Sequence, residues 1–177
     1  MFLLVKQLEI RVGYAITTGA GNTLFGYRAG DAGNFGSATL IGYQAGGAIN
    51  STDADGTIAI GYEAGKAITS GQYNTVLGYQ ALYTEDTGDY STAIGYQALY
   101  TQNRDGTAGN TAVGYQAGYD MTTGYENTLI GRHAGVNLTS GEENVMMGQS
   151  AGATATTQAS LTLIGFRAGL DINSDDA

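Results

Sequence analysis

The sequence predicts an all-β solenoid, a stack of about nine rungs of 16–19 residues each. Three observations predict it. First, one nonapeptide, Asn127-Thr128-Leu129-Ile130-Gly131-Arg132-His133-Ala134-Gly135, recurs in variant form along nearly the whole chain. Its central glycine falls at Gly26, Gly42, Gly61, Gly78, Gly95, Gly114, Gly131, Gly148 and Gly165, at spacings of 16, 19, 17, 17, 19, 17, 17 and 17 residues. A period this short holds one rung of a solenoid and is too short for the helix pairs of longer repeats. Second, the two residues before each glycine are apolar in every copy, from Leu24-Phe25 to Leu163-Ile164. Third, proline is absent while glycine numbers 29 of 177 residues, which suits uninterrupted ladders.

Counting the glycine as position zero, each column has a physical reading. Adjacent strand residues point to opposite faces, so a strand apolar at both −1 and −2 is expected to be buried on both. One face lines the inside of the solenoid. With rungs this short little chain is left to cover the other, so further subunits are expected there. The invariant glycine marks a corner where a side chain would clash or φ is positive. The alanine at +3 in all nine copies, Ala29 to Ala168, marks close backbone passage. Position +1 is tyrosine in six copies (Tyr27, Tyr43, Tyr62, Tyr79, Tyr96, Tyr115), which stacked rungs would set about 4.8 Å apart as a ladder.

In chain order, residues 1–21 read as an atypical capping rung and attachment segment, 22–169 as the β-roll repeat domain, and 170–177 as a partial rung with an acidic tail that frays. Ala15 to Gly19 matches Ala67 to Gly71, and that register sets Leu8, Glu9, Ile10 and Val12 in the −1, zero, +1 and +3 columns. Length varies only between the cores, where connections run 7, 10, 8, 8, 10, 8, 8 and 8 residues and are expected to form an outer rim. Position +7 is often apolar (Ile16, Ile49, Ile68, Met121, Leu138, Ile172), predicting a second short inward strand; Gly33, Glu85, Gln102 and Ala155 break the column. The two longer connections carry Asp55-Gly56 and Asp105-Gly106, which are turn signals.

The unit Asn110-Thr111-Ala112-Val113-Gly114-Tyr115-Gln116-Ala117-Gly118 resembles the head repeat of trimeric autotransporter adhesins, in the version found in bacteriophage tail fibres. The resemblance covers about 150 of the 177 residues. It implies a left-handed parallel β-roll assembled as a homotrimer, with the second apolar column meeting at the three-fold axis. It further implies an extracellular place, in the virion as a tail fibre or else on a bacterial cell surface. Other fibre or virion proteins would attach through the N-terminal segment, and a host-surface glycan or protein would be the target. The sequence shows no signal-peptide core, heptad stalk or membrane anchor, which turns the expectation toward a phage fibre.

Net charge is −9, with no basic stripe to neutralise phosphates, so nucleic acid is not expected as a partner. No apolar run approaches the roughly 20 residues of a membrane span. No cofactor or metal is expected: cysteine is absent and the one histidine, His133, sits in the polar +2 column, read as a surface position. Asp53-Ala54-Asp55-Gly56 lacks the ligand series of a calcium loop and reads as a turn. No nucleophile elbow or distinguished carboxylate pair occurs, so no enzyme is expected.

Two rivals to the fibre remain. A glycan depolymerase with sites between subunits has no positive signal. An ice-binding solenoid is motivated by threonine at −3 in seven copies (Thr23, Thr39, Thr75, Thr92, Thr111, Thr128, Thr162), although a neighbour two residues on, read as inward, directs these threonines inward too. If the rim binds glycan, Tyr73, Tyr90, Tyr100 and Tyr125 are the candidates, because aromatic faces stack on sugars.

Overall fold

The computed structural model describes residues 12–51, 54–170 and 172. The nine predicted rungs form, each with one three-residue strand: β1 (Thr23–Phe25), β2 (Thr39–Ile41), β3 (Ile58–Ile60), β4 (Thr75–Leu77), β5 (Thr92–Ile94), β6 (Thr111–Val113), β7 (Thr128–Ile130), β8 (Val145–Met147) and β9 (Thr162–Ile164). They pair in sequence order as one parallel sheet, so the chain is a β-solenoid of about eight turns. No helix occurs among the described residues. Register follows the repeat: Leu24 faces Leu40, Ala93 faces Ala112, and Met146 faces Leu163.

The core is the stack of three columns. Position −2 points inward and is fully buried from Leu40 to Met146, and the +3 alanines are buried from Ala29 to Ala151. Ile49, Ile68, Met121 and Leu138 at +7 complete it. The glycine at zero is required on two counts. Its φ lies between 124° and 144° in all nine copies. In the first eight, an added Cβ would stand 2.2–2.5 Å from the carbonyl oxygen of the next rung's glycine. Rungs therefore touch backbone to backbone at this corner, where Gly95 N–H donates to Leu77 O at 2.8 Å and Gly114 N–H to Ile94 O at 2.8 Å.

Asparagine at −4 staples neighbouring rungs together. Asn127 Nδ2 donates to Gly141 O at 2.9 Å while its Oδ1 accepts Asn144 N–H at 3.0 Å. Asn22, Asn74, Asn110 and Asn144 make the same pair of bonds to the rungs that follow them. Each satisfies a backbone donor and a backbone acceptor that the short strands leave free.

Two rungs fill the core differently. Position +4 is glycine in seven copies but leucine at Leu82 and Leu99, and in those two rungs +7 is polar, Glu85 and Gln102. All four side chains are fully buried. The leucines adopt φ of 48° and 51°, a left-handed conformation that costs a branched residue on the order of 1–3 kcal/mol. Their side chains supply the apolar volume that Ile or Met supplies from +7 elsewhere.

Two expectations need correction. The outward face of the strands carries −3 and −1 together, since only the residue between them is buried. The threonines therefore point outward, because side chains two apart share a face and −2 is the inward position. The +7 residues do face inward, but the segments bearing them are turns and bends. Their N–H groups donate to carbonyls of the next rung, several converging on one oxygen as Thr69, Ser70 and Gly71 N–H do on Asp86 O, and they form no second strand. Residues 12–21 stack on the first rung as its register predicts, with Gly13 N–H on Ala29 O and Ser37 N–H on Ala20 O, both at 2.9 Å. Leu8, Glu9 and Ile10, Asp53, and the acidic tail from Asn173 lie outside the described residues.

The corner contact makes a paired prediction. Gly95→Ala combines left-handed strain with a clash against Gly114, and should lower the unfolding free energy by about 3–5 kcal/mol. Gly165→Ala meets nothing within 4 Å and should show the strain alone, about 1–3 kcal/mol. Urea unfolding followed by circular dichroism compares the two, and equal costs would refute the corner contact.

Candidate functional site

The feature that sets this molecule apart from a closed globule is the outer face of its sheet. The −1 column runs along it from Phe25 to Ile164, with the threonine column on one side and the tyrosine ladder on the other. Phe25 and Ile164 in the end strands are 74% and 67% exposed and Leu77 45%, while Ile41, Ile60, Ile94, Val113 and Ile130 are half-buried. A contiguous apolar stripe of this length is uncommon on a lone soluble chain and marks a surface that meets something else.

The ladder forms as predicted. Tyr27, Tyr43, Tyr62, Tyr79, Tyr96 and Tyr115 stack with ring centroids 5.0–5.4 Å apart and planes within 17°. It ends where His133 meets Tyr115 edge-on at 5.3 Å, with the Arg132 guanidinium 5.9 Å from the same ring. Burial, and then Arg132 beside it, lowers the His133 imidazole from its ordinary value. The +2 column that holds His133 is half-buried along most of its length, a correction to its reading as open surface.

That column is a second ladder, made of amides. Gln116 Nε2 donates to Gln97 Oε1, and Gln97 Nε2 to Gln80 Oε1, both at 3.1 Å; Gln80 Nε2 donates to Glu63 Oε2 at 2.8 Å. Lys66 Nζ holds the other Glu63 oxygen at 2.6 Å. Burial opposes ionisation of Glu63, but the Lys66 and Gln80 hydrogen bonds outweigh it and hold the carboxyl below its usual value.

The four candidate tyrosines fall in different columns. Tyr73 and Tyr90 stack on each other at 5.3 Å and are both exposed. Tyr100 sits between Tyr83 and Tyr119, each 5.1 Å away, so both of its faces are covered and none is left for a sugar. Tyr125 carries the Arg104 guanidinium 4.1 Å above its ring centroid, and its hydroxyl is raised in pKa first by a hydrogen bond to Glu142 and then by burial.

A buried polar network lies behind this region. Glu85 Oε1 accepts Gly88 N–H at 2.7 Å, and Oε2 accepts Gln102 Nε2 at 2.9 Å and Arg104 N–H at 3.2 Å. Gln102 Oε1 in turn accepts from Asn110 Nδ2 at 2.9 Å, and Gln102 Nε2 also reaches Ser91 Oγ at 3.0 Å. The sequence signalled this only as a break in the +7 column. The paired signal, leucine at +4 wherever +7 is polar, was present and unread.

Among the described residues no group of three or more metal-ligating side chains gathers, and no helix is long and apolar enough to cross a membrane. Compared with known proteins, the chain matches no family model, no curated protein and no solved structure.

The lowered Glu63 carboxyl fixes the sign of one pH effect. A group whose folded pKa is depressed contributes stability that is present above its unfolded value, 4.5, and is lost as pH falls through the folded one. Melting temperature should therefore fall more steeply below about pH 4.5 in the parent chain than in Glu63→Gln. Parallel slopes for the two proteins would contradict this.

Proposed function

We propose that the chain is a rung segment of a rigid homotrimeric fibre, of the kind carried by phage tails, that presents its connecting loops for attachment to a host surface. The single observation that supports this reading is the apolar −1 column on the outer sheet face. Every rung turns one such residue outward, exposed or half-buried, and three copies packed around an axis would cover them all at once. The tyrosine ladder beside the column would form the flank of each contact, because aromatic rings contribute large apolar area at interfaces. Nine strands at the usual spacing make a rod of roughly 40 Å, stiffened by its own ladders. In this reading the roll is left-handed, as the resemblance implies, and the fibre carries out no reaction.

A second reading has one observation in its favour. The seven outward threonines lie in register on the parallel sheet, beside the apolar column and interrupted at Ile58 and Val145, and an array of hydroxyl and methyl groups is a template for ordered water. The ice-binding reading needs this face exposed, and the fibre reading needs it covered.

Light scattering separates them. A mass three times the 18.2 kDa chain is the fibre outcome. A monomer that shows thermal hysteresis is the ice-binding outcome. The double substitution Ile94→Glu and Val113→Glu should convert a trimer to monomers, because it would bring like charges together at the axis in a water-poor contact. Circular dichroism should stay unchanged, since both side chains lie on the outer face. A double variant that remains trimeric would move the interface elsewhere.

A further inference from the structure

Building on the attachment reading above, we propose that the hollow formed by Asp86, Asn103, Arg104, Asp105 and Thr123 is a binding site for a neutral hexopyranose unit of a surface glycan. The hollow has a volume of about 360 Å3, within the range of small-molecule sites.

Its walls are held in place before any ligand arrives. From inside, buried Glu85 bonds the Arg104 N–H at 3.2 Å. Asn103 N–H donates to Thr122 O at 2.9 Å, and the Asp105 carboxylate accepts Thr87 Oγ at 2.9 Å. Asp89 N–H holds the turn through Gly106 O at 3.0 Å. The Arg104 side chain is fixed by Thr107 O at 3.1 Å, by Thr123 O at 2.8 Å and by the Tyr125 ring beneath it. A ligand here meets groups whose ordering entropy has already been lost on folding.

The chemistry selects a polyol over an anion. Two carboxylates outnumber one guanidinium, and that guanidinium already spends donors on two backbone carbonyls and its face on Tyr125. A sugar hydroxyl donates as well as accepts, so it suits a site that mixes carboxylate, amide and guanidinium groups. Asp86 Oδ1 is buried without a hydrogen-bond partner among the described residues. Unmet buried acceptors are uncommon and call for an explanation.

An aromatic residue is tied to the turn that follows Asp105. Tyr90 follows Asp89, whose carbonyl takes the Ala108 and Gly109 N–H groups at 3.2 Å, so it is tied to the same turn. One face of its ring stacks on Tyr73. In the next rung its column holds Gly109, where an added Cβ would find only Glu126 within 4 Å. Tyr90 is 54% exposed, which leaves part of its ring open to the C–H face of a pyranose.

Saturation-transfer NMR on the full chain tests this, with maltohexaose, mannohexaose and a galactan-derived hexasaccharide as neutral probes and sialyllactose as the acidic one. At least one neutral probe should bind. Asn103→Ala and Asp105→Asn, both exposed positions, should each weaken it about tenfold, the loss of one good hydrogen bond. Asn137→Ala, on another part of the rim, should leave it unchanged. Silence from all three neutral probes, preference for sialyllactose, or full binding by the two variants would each overturn the proposal. The result is independent of the mass measurement: a trimer that ignores every sugar loses this site and keeps the fibre, and a monomer that binds one does the reverse.

Discussion

The structure depends on one contact, the approach of each corner glycine to the carbonyl of the next. With 2.2–2.5 Å between a hypothetical Cβ and that oxygen, no other residue fits without moving a rung. The contact holds every rung at the same height and the same rotation above the last. Once both are fixed, a residue type repeated in a column becomes a stack of like side chains at bonding distance. The tyrosines, the asparagines and the glutamines each form such a ladder, and none of the three needs a separate explanation.

The same constraint explains why the sheet face stays bare. A three-residue strand gives its solenoid one inward side chain and turns two outward. Connections of mostly eight residues are consumed in closing the turn, where their +7 side chains plug the core. Among the described residues no segment folds back over the strands. The apolar −1 column is thus a geometric consequence of short rungs, and repetition along the axis makes it a stripe.

Much of this was legible in the sequence because a repeat reports one environment nine times. Gly26 through Gly165 gave the corners, the alanines gave the tight passage, and the tyrosines gave their own ladder. What misled was the assignment of faces. Both Leu129 and Ile130 are apolar, and alternation alone does not say which of two apolar neighbours lies inside. Reading the isoleucine as inward turned the threonines inward with it. The network around Glu85 was hidden for another reason. A buried carboxylate among amides breaks the column pattern, and only the compensating leucines at Leu82 and Leu99, three residues earlier, mark it as a repacked rung instead of an open one. The hollow was invisible because Asp86, Asn103 and Thr123 come from three successive connections, which meet only after the rungs are stacked.

The glutamine ladder gives the molecule a direction. Gln116, Gln97 and Gln80 each pass a hydrogen from Nε2 to the oxygen of the rung before, and the series stops at Glu63, which as a carboxylate only accepts. Turning one amide over would set donor against donor on one side and acceptor against acceptor on the other. The string therefore reverses as a whole or not at all, and the carboxylate at its end selects the sense. Its aligned amide dipoles point their positive ends at Glu63, as the first turn of a helix does toward an anion. A column of neutral side chains thereby acts on a charge several rungs away, as a polarised wire acts on its terminal.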